Sequence, residues 1–160
     1  MTATPATTFY DILPSPLGDL LLTGDGESVT GLTFDDKPAG DMVRDKSAFR
    51  EPVKQLQAYL AGELKDFDFP IRQPGTPFQE RVWAELRAIP HGETISYAEL
   101  ARRIGQPTAS RAVGSANGRN QIVIVVPCHR VIAADGTLGG YGGELWRKEW
   151  LLNRERIAAG

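Results

Sequence analysis

The chain has 160 residues, 41% of them apolar and 24% charged, with a formal net charge of −2. That size and balance place it among soluble globular proteins, as one domain or two small ones sharing an interface. No run approaches the roughly 18 apolar residues of a membrane span, and a lone cysteine excludes an internal disulfide.

The N-terminus, Met1-Thr-Ala-Thr, has no basic region followed by an apolar run, so no secretory signal is expected. Phe9 to Leu13 reads as a strand, stopped by the turn-rich Pro14 to Gly18. Leu20 to Thr23 and Val29 to Phe34 flank Gly24-Asp25-Gly26-Glu27, a hairpin signal. Pro38 to Asp45 reads as a loop, and Val53, Leu56, Tyr59 and Leu60 give a helical stripe ending near Gly62. The alternation Asp66-Phe67-Asp68-Phe69 predicts a short strand. Nothing in this half has catalytic spacing. It is expected to be scaffold.

Gln73 to Pro77 reads as a linker, which divides the chain into 1–74 and 75–160. Thr76 is placed to cap a helix that starts with Pro77 and shows Phe78, Val82, Trp83 and Leu86 on its apolar face. Ser96 followed by Glu99 is a capping box opening a helix to Ile104. Gly105-Gln106-Pro107 is a turn, and Thr108 or Ser110 caps a third helix reaching about Asn117. Two short helices about a glycine turn read as helix-turn-helix; the plain alternative is a helical hairpin. The third helix carries Ala109, Ser110, Ala112, Gly114 and Ser115 around one long side chain, Arg111. Small residues allow close backbone approach, either to a minor groove or to another helix.

Charge divides unevenly. Residues 1–74 hold 7 Lys and Arg against 12 Asp and Glu, whereas residues 75–160 hold 11 against 8, with arginine prominent. Arginine suits phosphate because its planar fork binds two oxygens. A solvated surface that happens to be uneven explains the same count.

The apolar run from Gln121 to Val126 predicts a buried extended segment, ending at Pro127-Cys128-His129-Arg130-Val131. A cysteine attacks as its thiolate, and a neighbouring histidine can take the proton directly or through a water. A carboxylate of the last helix (Glu144 to Arg156) can orient that histidine; Glu155 is the candidate, ahead of Glu149. By itself, a Cys-His pair also fits a buried structural cysteine.

Residues 111 to 152, RAVGSANGRNQIVIVVPCHRVIAADGTLGGYGGELWRKEWLL, resemble the active-site region of the O6-alkylguanine-DNA alkyltransferases. The likeness runs from about Gly75 to Glu155 and loosely over the N-terminal half. It implies an α+β chain, with an N-terminal ribonuclease-H-like β-sheet domain and a C-terminal winged helix-turn-helix domain. It further implies direct-reversal repair, in which an alkyl group moves once and irreversibly from O6-alkylguanine of a flipped nucleotide to Cys128. His129 resembles the base working through a water, Glu155 the carboxylate behind it, and Asn120 the residue holding the active-site turn. Tyr97 resembles a proton donor beside the base, and Arg111 the finger filling the vacated stack. Leu138, Gly139, Gly140, Tyr141, Gly142 and Gly143 resemble the loop walling the guanine pocket, with Val131 alongside. Gln121 departs from the family's usual proline.

The expected partner is alkylated double-stranded DNA, met by a monomer in the cytoplasm; cooperation along DNA stays open, and no cofactor, metal or membrane is expected. The alternative function is a helix-turn-helix regulator with a structural cysteine.

Overall fold

The computed structural model describes residues 7–139 and 144–159. It divides into two units, residues 1–72 and 73–160.

Among its described residues, the first unit is a four-stranded sheet with one α-helix. Strands β1 (Phe9–Leu13), β2 (Leu20–Gly24), β3 (Val29–Phe34) and β4 (Val43–Arg44) lie in the order β3-β2-β1-β4. β1 and β3 flank β2 antiparallel, and β4 runs parallel to β1. The hairpin turn is set by Asp25, whose Oδ1 accepts from the backbone of Glu27 at 3.0 Å and Ser28 at 2.8 Å. Helix α1 (Arg50–Leu60) follows a 3-10 turn over Lys46–Phe49. Leu17, Leu20, Leu22, Leu32, Phe49, Leu56 and Tyr59 are closed to solvent. Burial of each such side chain contributes roughly 1.5–3 kcal/mol before conformational entropy is counted.

Two expectations for this half need correction. Residues 38–45 are not all loop, because the backbone N–H of Val43 reaches the Thr8 carbonyl at 2.9 Å and adds β4 to the sheet. Residues 66–69 form no strand. There the Gln55 side chain takes the backbone N–H of Asp68 at 3.0 Å, and the chain meets β3 only afterwards, at Ile71. The alternating Phe67 and Phe69 instead stack from Tyr59, with ring centroids 5.3 and 5.9 Å apart in turn.

Among its described residues, the second unit packs four helices with a short parallel ribbon. Helix α2 (Pro77–Arg87) starts in a full capping box: Thr76 accepts from the Gln79 backbone, and Gln79 returns a bond to Thr76. Strand β5 (Ile95–Ser96) pairs with β6 (Val131–Ile132) and leads directly into α3 (Tyr97–Arg103). Ser96 caps α3 through the Glu99 N–H at 3.0 Å, but the Glu99 carboxylate turns to Arg102 and Arg103. Gly105, at φ +77°, makes the turn toward α4 (Ser110–Gly118). α4 starts from Ala109 with no side-chain cap, and Ser110 is its first residue, so neither predicted cap is used. The buried indole of Trp83 donates to the Ala116 carbonyl at 2.9 Å and fixes α2 on α4. Helix α5 (Leu145–Ala159) closes the chain.

Ile122, Ile124, Val125 and Val126 are buried as expected, but Gln121 is exposed and the run is not extended. It coils through consecutive turns, with Ile124 at φ +73°. An apolar run has no periodicity to separate the two conformations. Asn120 decides it, as described next.

Candidate active site

Asn120 organises the approach to Cys128. Its Oδ1 accepts from the Ile122 backbone at 3.1 Å and from Gln73 at 3.0 Å, while its Nδ2 donates to the Val126 carbonyl at 2.7 Å. One side chain thus spans both ends of the 122–126 coil and satisfies backbone groups that a buried strand would have paired with a neighbour. The chain leaves this coil at Pro127, which caps a 3-10 turn over Cys128–Arg130. Cys128 keeps 5% of its surface exposed. Burial pushes its thiol up, against a hydrogen bond from Asn120 and the nearby positive charge of Lys148.

His129 and Glu155 lie out of solvent, at 0% and 1% exposure. His129 Nε2 is 2.6 Å from Glu155 Oε2. Arg130 grips the same carboxylate twice, Nε to Oε1 at 2.9 Å and Nη2 to Oε2 at 3.0 Å, and donates through Nη1 to the Ile89 carbonyl at 2.7 Å. Burial alone would raise the Glu155 carboxyl, but the bonds and charges of His129 and Arg130 hold it well below the usual range. His129 is lowered as well: burial, with Arg130 and Lys148 nearby, favours the neutral ring although Glu155 opposes this. A neutral ring that donates from Nε2 to an ionised Glu155 carries its lone pair on Nδ1. That Nδ1 is buried and has no partner among the described residues. The arrangement leaves one buried base, on the residue next to the cysteine.

Tyr97, the first residue of α3, is partly buried. A Cβ added at Gly114 or at Gly139 would come within 3.8 and 3.4 Å of its ring, so α4 and the 137–139 segment flank it. Gly139 also sits at φ +71°, where a side chain would be strained. Burial raises the Tyr97 hydroxyl, as does negative charge on Cys128, while a hydrogen bond from Asn117 opposes both. Val131 is fully buried in β6, and its carbonyl accepts Lys148 Nζ at 2.7 Å. Lys148 also donates to the Leu138 carbonyl, which ties the start of the predicted pocket loop to β6. Gly140, Tyr141, Gly142 and Gly143 lie outside the described residues.

α4 turns Val113, Ala116 and Asn117 inward and leaves Arg111, Ala112 and Ser115 exposed, with Ala109, Ser110 and Gly114 half-buried. Its small residues therefore do not serve helix packing alone. Arg111 makes no ion pair among the described residues. Those residues also hold no cluster of three or more His, Cys, Asp and Glu side chains suited to a metal. No helix among them is long and apolar enough to cross a membrane.

Residues 8–73 match the model of the 6-O-methylguanine DNA methyltransferase ribonuclease-like domain, and residues 77–157 that of the same family's DNA-binding domain. The chain belongs to the 6-O-methylguanine DNA methyltransferase family. A methylated-DNA–protein-cysteine methyltransferase of Methanosarcina acetivorans is 49% identical over 152 residues, covering 92% of this chain and 97% of that one. The protein of that name from Mycobacterium tuberculosis is 49% identical over 155 residues, covering 94% and 93%. The crystal structure of the M. tuberculosis O6-methylguanine methyltransferase superposes with a TM-score of 0.89 at 47% identity, over 96% of each chain. M. tuberculosis OGT in complex with DNA gives 0.89 at 49% identity, over 94% of each. The α+β architecture and its two family domains follow from these matches.

Three buried polar residues of this family member escaped the sequence reading: Arg130, Lys148 and Asn117. A helical signal for one of them was available. Lys148, Leu151 and Glu155 stand at i, i+3 and i+7 on one stripe of α5, and all three are buried. A lysine in register with a core leucine and a candidate catalytic carboxylate invites that reading. Arg130 and Asn117 offered no such pattern.

Proposed function

We propose that the chain performs direct reversal of O6-alkylguanine damage, with Cys128 as the single-use acceptor. The observation that carries this reading is the buried Glu155–His129 pair, which leaves His129 Nδ1 as an unpartnered base beside the chain's lone cysteine. A buried orphan nitrogen is costly unless a water or a proton transfer uses it.

The thiol proton of Cys128 passes, through a water, to His129 Nδ1, and Glu155 stabilises the imidazolium that forms. The thiolate attacks the alkyl carbon. A carbon–sulfur bond forms as the bond from that carbon to O6 breaks, with the electron pair going to guanine. Tyr97 gives its proton to the departing base, and the proton held on His129 restores the balance. The product is a thioether, and with one cysteine in the chain no second thiol cleaves it. Asn120 keeps the 122–126 coil beneath the sulfur, and Val131, Leu138 and Gly139 bound the base beside Tyr97.

The substrate oxygen lies in a paired stack, so the nucleotide must leave the duplex, at a cost of a few kcal/mol. The exposed Arg111 on α4 suits the gap left behind, with Ala109, Ser110, Ala112, Gly114 and Ser115 lying close to the minor groove. Arginine contacts to phosphate supply affinity without sequence preference. Every side chain in this scheme comes from one copy, which supports action as a monomer. A reducing, cytoplasmic setting suits a free thiol.

Intact mass spectrometry after incubation with methylated duplex DNA tests the reading. One added methyl group on Cys128, and none on the folded Cys128→Ala variant, is the expected result. Repeated turnover, or a methyl group on another residue, would overturn it.

A further inference from the structure

Arg130 is 5% exposed, follows His129 directly in the chain, and takes no part in the proton path from Cys128 to His129. Among the described residues its side chain makes three bonds. Nε and Nη2 clasp the two oxygens of Glu155, and Nη1 donates to the Ile89 carbonyl, just past the end of α2. Burying a guanidinium is costly, and apolar side chains in place of a buried ion pair are often neutral or stabilising. Packing alone therefore does not explain arginine here.

The ring of His129 supplies the explanation. Its Nε2 lies 2.6 Å from Glu155 Oε2, the oxygen that Arg130 Nη2 also reaches. One proton sits between ring and carboxyl at that distance, and the group that owns it fixes the tautomer. Held in the guanidinium fork, the carboxyl is an ionised acceptor, so Nε2 carries the proton and Nδ1 is bare. The Gly92 N–H adds a longer bond to Oε1, at 3.4 Å, which a carboxylate and a carboxylic acid both accept. Without the fork, a carboxyl that is 1% exposed takes up a proton of its own. Its O–H then donates to Nε2, and the neutral ring must carry its proton on Nδ1. A ring in that form has no lone pair for the thiol proton.

We propose that Arg130 is a positioning residue that selects the tautomer of His129, keeping the proton on Nε2 and the lone pair on Nδ1. This rests on the assignment of Cys128 as acceptor and His129 as its base. Arg130 touches no reacting atom. It acts through Glu155.

Two measurements test this. Long-range proton–nitrogen correlation spectra of isotope-labelled Cys128→Ala protein show which ring nitrogen holds the proton, free of exchange with a thiol. The chain has two histidines, so two ring patterns are to be assigned. Single-turnover transfer from methylated duplex DNA is measured with Cys128 in place. With Arg130 present, His129 should show a protonated Nε2 and a bare Nδ1. Arg130→Met should reverse this and slow transfer about a hundredfold, the scale of a lost general base, with duplex affinity changed less than about threefold. Arg130→Lys keeps the charge, so it should keep the tautomer and recover at least about tenfold of the rate. Should methionine prevent folding, Arg130→Gln is neutral, can still bond Glu155 and carries the same expectation. Any other ring form with Arg130 present, or an unreversed ring in the folded neutral variants, overturns the proposal alone. So does a reversed ring with wild-type transfer. Absence of a methyl group on wild-type Cys128 overturns the underlying assignment together with it.

Discussion

Arg130 holds Glu155 by two parallel bonds, at 2.9 and 3.0 Å, and thereby balances the charge of the carboxylate that His129 also meets. The pair lies out of solvent, where an isolated carboxylate would take up a proton. With Arg130 in place, Glu155 stays ionised and His129 can remain neutral at rest. Removing one partner of a buried pair strands the other charge, so Glu155→Gln should lower stability by on the order of 3 kcal/mol. It should also slow transfer about a hundredfold, through loss of a supported base. Urea unfolding and single-turnover kinetics measure the two effects separately.

The same pair predicts a pH window. The folded Glu155 carboxyl lies below its ordinary value of 4.5, so its contribution is complete above that pH and is lost as pH falls through the folded value. The stability gap between wild type and Glu155→Gln should be flat from pH 8 to about 5 and shrink below about 4.5, the region where free glutamate titrates. A gap that widens on acidification would contradict it. Denaturant titrations at stepped pH provide the measurement.

Lys148 should behave in the same sense, in a more alkaline window. Burial pushes its ammonium down to about 8, although negative charge on Cys128 favours the charged form. Between pH 8 and 10.5 the unfolded chain holds this proton more tightly than the folded chain, so this group adds stability as pH rises. Against Lys148→Met, wild type should gain on the order of 2 kcal/mol across that window. Comparing both on a Cys128→Ser background keeps the thiol's own titration out of the difference.

Arg111 is exposed on α4 and makes no ion pair among the described residues. Its proposed place in the vacated stack predicts that Arg111→Ala slows repair of duplex DNA at least tenfold and leaves reaction with free O6-methylguanine within about twofold, since only the duplex requires unstacking. Parallel rate measurements on the two substrates check this, and equal losses on both would remove the role.

The Trp83 indole donates to the Ala116 carbonyl across the α2–α4 contact. Trp83→Phe removes this bond while the carbonyl keeps the Arg119 backbone N–H at 3.2 Å, so the loss should cost about 1 kcal/mol. Thermal unfolding gives the shift.

Sequence alone determined the elements whose rules are local. The Asp25 turn, the Thr76 capping box and the Ser96 cap each depend on side chains a few residues from the backbone they satisfy, so spacing suffices to read them. The motif PCHRV, with RAVG at its distance, likewise carried the family resemblance without coordinates. Tertiary structure decided whatever depends on partners far along the chain. Residues 121–126 are equally apolar as strand or coil, and the Asn120 side chain, held by Gln73, selects the coil. Phe67 and Phe69 alternate like a strand, yet Gln55 takes the backbone hydrogen bond that a strand would need. Arg130, Lys148 and Asn117 look like ordinary polar residues until packing removes their water. Burial then makes each hydrogen bond count, and that energy depends on three-dimensional neighbours which no local spacing encodes.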